Sequence, residues 1–178
     1  MIKKEGRKKM KVFELHGVSG SGKTTSAEQI IKELVKRGYS VGTIKNIHFD
    51  GFAMDREGTN TYRHAMAGAQ LVSARGNEET DILFKRQLGM AELLTYYTQD
   101  FVISEGHSEL PLPKIIAAHQ IPEIEERLTP LTFAVTGKLS ETLKEYKGLP
   151  VINAVKEVER LVDLIENQVV DYDKTIEK

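Results

Sequence analysis

The sequence predicts an α/β fold: a mostly parallel sheet with helices on both faces and a hairpin-like insertion near residues 69–85. Three observations lead there. A short apolar run at Val12, Phe13 and Leu15 meets a glycine-rich stretch at Gly17, which reads as a buried strand entering a tight loop. Over 24–37, Ala27, Ile30, Ile31, Leu34 and Val35 recur at helical spacing. A β-rich segment over 39–44 follows. Strand, glycine loop, helix and strand make a βαβ unit, and such a unit calls for parallel pairing.

The remaining elements follow in order. Lys36, Arg37 and Gly38 suit a helix C-terminus, because cations meet the negative end of the dipole and glycine takes the left-handed cap. Residues 45–58 lack periodicity and are rich in His, Asp, Asn and Gly, so they read as a loop. A helix is expected over 59–68. Runs at 69–74 and 82–84 flank Gly76-Asn77-Glu78 and predict a hairpin or strand pair. Met90, Leu93, Leu94 and Tyr97 share a helical face. Phe101, Val102 and Ile103 make a short buried strand. Apolar runs at 131–135 and 149–152 complete the expected strands. Val155, Val158, Leu161, Val162, Ile165 and Val169 predict a closing amphipathic helix.

The 178 residues suit one domain, placed at 11–170. The first ten residues hold five basic side chains and one acidic one, so residues 1–10 read as a disordered basic tail, solvated or serving as a phosphate- or partner-binding arm. Residues 171–178 read as a frayed polar tail. At this length a chain buries roughly 70% of its unfolded surface. With 40% hydrophobic and 29% charged residues it belongs with globular chains. Twenty-five basic against 26 acidic residues argue against a protein built to coat nucleic acid or an anionic membrane. There is no cysteine, which removes disulfides, thiolate zinc sites and cysteine nucleophiles. No run approaches the roughly 18–20 apolar residues of a membrane helix. The basic N-terminus lacks the apolar core of a secretory signal. The cytoplasm is the expected location.

Chemistry concentrates at Gly17-Val18-Ser19-Gly20-Ser21-Gly22-Lys23-Thr24, which matches G-x-x-x-x-G-K-[ST], the P-loop, with a strand before it and a helix after it. The fold class is therefore refined to a P-loop NTPase-like three-layer sandwich. Backbone N–H groups from about Ser19 to Thr24 would converge on phosphate oxygens, aided by the helix dipole. Gly17, Ser19, Gly20, Ser21, Gly22, Lys23, Thr24 and Thr25 are the expected nucleotide-binding residues. Lys23 reaches the β- and γ-phosphates, the Thr24 hydroxyl serves as a Mg²⁺ ligand, and Thr25 reaches the α-phosphate. Glu105 emerges at the end of the Phe101–Ile103 strand, before Gly106, and is the expected second Mg²⁺ ligand and catalytic carboxylate. Asp100 caps the preceding helix or starts the strand.

A third cluster, Lys45, His48, Asp50, Asp55, Arg56, Arg63 and His64, reads as either a polar surface loop or the wall of a second site. In the functional reading Asp55 activates a nucleophile or holds a metal-bound water, and Lys45, His48, Asp50 and Arg63 receive a second substrate. His16 and His107 read as structural histidines. The guanine-reading N-K-x-D is absent. Thr136-Gly137-Lys138-Leu139 occupies the place of a base-recognition loop but lacks its aspartate.

Together these motifs resemble the molybdopterin-guanine dinucleotide biosynthesis protein B (MobB) family over roughly residues 10–170. The string IKNIHFDGFAMDREGTNTYRHAMAGAQLV is similar to that family's Lys-His…His…Asp…Gly-Lys-Asp-Ser…Arg-His…Ala-Gly-Ala pattern, through Lys45, His48, Asp50, Asp55, Gly58, Arg63, His64 and Ala67-Gly68-Ala69. DFVISEGHSELPLPKI and KGLPVINAVKEVERLVDLI resemble its strand–Glu–Gly segment and its closing Leu-Pro and helix. Three places depart from the pattern: Gly58-Thr59-Asn60-Thr61 stands for Gly-Lys-Asp-Ser, Lys45-Asn46 for Lys-His, and His107-Ser108 for Phe-Lys. The resemblance implies a homodimeric GTP-binding protein with weak Mg²⁺-dependent GTPase activity. It also implies an accessory role in guanylylation of molybdopterin beside a MobA-like guanylyltransferase, with molybdopterin as a further ligand. Two rival readings are a P-loop small-molecule kinase with its acceptor at 45–64, and a non-catalytic, nucleotide-dependent adaptor.

Overall fold

The computed structural model describes residues 9–172. In chain order the elements are β1 (Lys11–His16), α1 (Lys23–Lys36), β2 (Val41–Lys45), α2 (Asn60–Met66), β3 (Leu71–Arg75), β4 (Thr80–Phe84), α3 (Met90–Leu94), β5 (Phe101–Glu105), β6 (Lys114–Ala117), α4 (Ile121–Glu125), β7 (Thr132–Thr136), β8 (Glu145–Tyr146), β9 (Leu149–Pro150) and α5 (Val158–Gln168). A 3₁₀ turn, Lys138–Glu141, follows β7.

Five strands form a parallel sheet in the order β2-β5-β1-β6-β7. Side chains alternate across each strand, so its two faces build two cores. Phe13 and Leu15 of β1 and Phe101 and Ile103 of β5 pack under α1 and α5, with Ile30, Leu34, Leu161 and Ile165. Val12 and Val102 face the other way, against Met10, Ile44, Met90 and Leu94. A third cluster, Ile116, Ile124, Val135 and Val151, joins α4 to the edge of the sheet. β3 and β4 form an antiparallel hairpin beside the sheet, as the pattern at 69–85 predicts.

The structure departs from the sequence reading in several places. Strand β6 and helix α4 were not expected. Lys114-Ile-Ile-Ala is only four residues long and follows Pro113, yet it pairs with both β1 and β7. Helix α3 stops at Leu94. Tyr97 lies past it and donates its hydroxyl to Thr43 O at 2.8 Å. In the run 149–152 only Leu149–Pro150 is a strand, paired with β8, while Val151 bridges to Val135. Val155 precedes α5 and is exposed. The expected tails lie almost wholly outside the described residues. Of the four tail residues described, Met10 is buried in a core, and Asp171 bridges to Lys11 while Tyr172 N donates to Met10 O at 2.7 Å. Asp171 and Tyr172 thus pair with Lys11 and Met10 at the start of β1. No helix among the described residues is long and apolar enough to cross a membrane.

Candidate functional site

The site lies at the carboxyl edge of the parallel sheet, where β1, β2 and β5 end together. Register brings them level: Leu15 and Lys45 both stand opposite Glu105. In open α/β sheets ligands bind outside this edge. A cleft of about 720 Å³ opens here between the loop after β1, the ends of β2 and β5, and Lys138.

The loop after β1 is drawn tight by its neighbours. An added Cβ on Gly17 would stand 2.1 Å from Ala117 O, so β6 leaves room only for glycine. Gly22 caps α1 at φ 100, a left-handed conformation that frees the first N–H groups of the helix. Ser21 is buried; its hydroxyl donates to Val18 O at 2.9 Å, and Lys138 N donates to Ser21 O at 3.2 Å. Lys23 reaches across the loop and donates to Gly17 O at 2.7 Å and Val18 O at 2.6 Å. Burial lowers its pKa; the Glu105 carboxylate opposes this, and the charges of Lys45 and Arg127 add to the lowering. Ser19, Gly20, Thr24 and Thr25 line the same cleft.

Glu105 closes the arrangement. Its Oε1 accepts from Thr24 Oγ1 at 3.1 Å and from Lys45 Nζ at 2.7 Å. The two expected Mg²⁺ ligands are therefore adjacent, and a pair of oxygens at this separation suits neighbouring positions on one octahedral cation. Three lysines, 23, 45 and 138, face one carboxylate, so the cleft favours an anionic ligand.

The second-site residues divide. Lys45 and His48 line the cleft of the glycine loop. His48 also lines a second cleft of about 930 Å³, between 47–55 and 82–87, and Asp50 and Asp55 line only that one. Arg63 is exposed on α2, outside the lining of both. Asp55 has its Oδ1 occupied by Arg56 N, Thr59 Oγ1 and Thr61 Oγ1, at 3.0, 2.8 and 2.9 Å. Thr59 in turn caps α2 by accepting from Tyr62 N. The expected nucleophile-activating carboxylate is thus built into the entrance of α2. Asp100, just before β5, accepts from Ser40 N and Oγ at 2.8 and 2.6 Å.

Sequence reasoning missed Glu14, Lys114 and the meeting of His16 with His107. Glu14 is 1% exposed. Lys114 Nζ and His16 Nδ1 stand 3.3 and 3.1 Å from its Oε1, and Ser108 N donates to its Oε2 at 3.1 Å. Burial raises the Glu14 pKa, but the His16 ring, the Lys114 ammonium and the Ser108 N–H outweigh it and hold the carboxyl below its ordinary range. The His107 ring stacks on His16 with centroids 5.5 Å apart. The available signal was the spacing Glu14-x-His16, which puts both side chains on one face of a strand.

A first strand feeding a glycine loop and a helix N-terminus, with helices on both faces of a parallel sheet, defines a P-loop NTPase-like α/β sandwich. The comparisons narrow this. The family model described as "Molybdopterin guanine dinucleotide synthesis protein B" matches residues 12–135, and the chain belongs to that MobB family. A Haemophilus influenzae molybdopterin-guanine dinucleotide biosynthesis adapter protein is 30% identical over 163 residues, covering 85% of each chain. A probable adapter protein of the same name from Bacillus subtilis is 26% identical over 147 residues, covering 80% of this chain and 85% of the relative. The crystal structure of Bacillus subtilis MobB superposes with a TM-score of 0.74 at 26% identity, covering 90% of this chain and 98% of that one.

Proposed function

We propose that the chain is an adapter in molybdopterin-guanine dinucleotide biosynthesis that binds GTP with Mg²⁺ in the glycine-loop cleft and hydrolyses it slowly. One observation carries the nucleotide reading: Lys23, Thr24 and Glu105 converge at the N-terminus of α1 in a cleft rich in lysine. Backbone N–H groups of the loop and the dipole of α1 receive the phosphates, and the Lys23 ammonium exchanges its two carbonyl acceptors for phosphate oxygens. Thr24 and Glu105 would hold a Mg²⁺ ion, which would supply offsetting charge for the bound phosphates. Among the described residues Glu105 is the one carboxylate that lines this cleft, in keeping with slow turnover and with a nucleotide that primarily orders a surface. In this reading the nucleotidyl transfer belongs to a guanylyltransferase partner. Molybdopterin enters beside the terminal phosphate, near Lys45 and His48. A homodimer and a cytoplasmic location complete the reading.

Calorimetric titration of GTP and ATP, with and without Mg²⁺, tests it. GTP should bind more tightly than ATP and require Mg²⁺. Lys23→Ala should weaken binding roughly 100-fold, since hydrogen bonds to a charged group are worth about 1.5–3 kcal/mol each. Product release should take hours. Preference for ATP, or a burst of diphosphate that depends on an added acceptor, would move the assignment to a small-molecule kinase.

A further inference from the structure

We infer that Glu14, His16 and His107 form a site for one divalent transition cation of the zinc class, beside the nucleotide cleft and distinct from Thr24 and Glu105. One ligand atom from each of the three lies within 4.8 Å of the other two. Oxygen and nitrogen atoms that share one zinc at about 2.0–2.2 Å stand roughly 3–4 Å apart. Glu14 Oε1 and His16 Nδ1 already meet this, at 3.1 Å.

The second observation is the state of those two atoms. Both are buried, and neither has a hydrogen-bond partner although they face one another. Their separation is that of a hydrogen bond and their alignment is not. Oε1 has the Lys114 ammonium 3.3 Å away as an ion-pair partner but accepts no aligned hydrogen bond, and a buried polar atom without one costs about 1–3 kcal/mol. A cation between the two atoms satisfies both. The other oxygen, Oε2, is held by Ser108 N, which fixes the direction in which Oε1 points. This is the outer hydrogen bond that ordered metal ligands commonly carry.

His107 supplies the third ligand from the open side. It is exposed, stacked on His16 and part of the cleft lining, and its ring nitrogen lies within 4.8 Å of the other two ligand atoms. A carboxylate and two imidazoles suit zinc better than Mg²⁺, which prefers oxygen. The fourth position then faces the cleft. Topology makes the site: β1 lies beside β5, so His16 at the end of one strand meets His107 just past the other.

Lys114 limits the affinity. Its ammonium stands 3.3 Å from the same Oε1, so the cation shares that oxygen with a positive charge. Removing the charge frees the oxygen for the metal.

Zinc titration of the purified full chain by calorimetry, with Co²⁺ absorption as the ligand signature, tests the inference. One Zn²⁺ per chain is expected, with a visible Co²⁺ spectrum of imidazole–oxygen type. His107→Ala should weaken zinc binding at least tenfold, as loss of an outer partner alone costs about 10–100-fold. His16→Ala should abolish it, and His64→Ala, exposed on α2 and outside the three-residue cluster, should leave it unchanged. Thermal melts of each variant confirm folding, and the exposed His107 keeps the test decisive if His16→Ala does not fold. Lys114→Met should tighten binding by roughly tenfold or more. Zinc bound equally by wild type, His16→Ala and His107→Ala, or a Lys114→Met variant that binds no better than wild type, would overturn the site.

Discussion

Glu105 Oε1 serves two donors at once, Thr24 Oγ1 and Lys45 Nζ. Its carboxylate charge should matter to a cation held beside Thr24. Glu105→Gln keeps the shape and removes the charge. The Mg²⁺ concentration for half-maximal nucleotide binding should rise roughly tenfold, equivalent to about 1.4 kcal/mol. A magnesium titration monitored by nucleotide fluorescence measures this, and an unshifted midpoint would take Glu105 out of the metal shell. At this scale the sequence was legible where a residue carries its context with it. Three apolar residues and a serine before Glu105, with Gly106 after it, point to a strand-end carboxylate. His16 and His107 carry no such context. Each is a lone histidine, and their contact depends on β1 lying beside β5, a long-range pairing that neither local pattern encodes. Asp55 shows a different limit: a loop carboxylate near a P-loop suits catalysis by type, and its hydroxyl donors, Thr59 and Thr61, four and six residues on, could not be read from that type alone.

Among the elements, α2 depends most visibly on a few polar contacts, for none of its residues is buried. Its entrance is held by Asp55 and Thr59. Hydrogen bonds from the Thr59 hydroxyl first, then from the Thr61 hydroxyl and Arg56 N–H, with the Lys85 charge, lower the Asp55 pKa against the opposing effect of desolvation. A carboxyl with a depressed folded-state pKa stabilises above its unfolded value, about 3.9, and the contribution fades as pH falls through the folded value. Amide exchange should therefore show α2 protected at pH 7 and losing protection below about pH 4. Asp55→Asn should show low protection across the range. Equal protection of α2 in both proteins at pH 7 would mean that the carboxylate charge does not hold the helix entrance. The glycine loop is held differently, by backbone. β6 presses on Gly17, and Gly137 after β7 would place an added Cβ 2.4 Å from Ser21 O. The motif announced the loop, but β6, which closes it, is too short and too close to Pro113 to announce itself.

The whole molecule couples the two scales through β1, the central strand. Phe13 is fully buried under α1 and α5, and three residues on the same strand ends at the glycine loop. Phe13→Ala should cost about 3–5 kcal/mol, a large share of the 5–15 kcal/mol that holds a typical domain. For a chain of this size each kcal/mol moves the melting temperature by roughly 2–4 °C. Phe13 does not line the cleft, so the folded fraction should still bind nucleotide. Ligand at 100 times its dissociation constant then restores about 2.7 kcal/mol. Thermal melts with and without GTP and Mg²⁺ separate the two contributions. Phe13→Ala should melt well below wild type and rise on adding GTP; Lys23→Ala should melt near wild type and not respond. A folded Phe13→Ala protein that gains nothing from GTP would show that the packing beneath β1 sets the shape of the glycine loop as well as its stability.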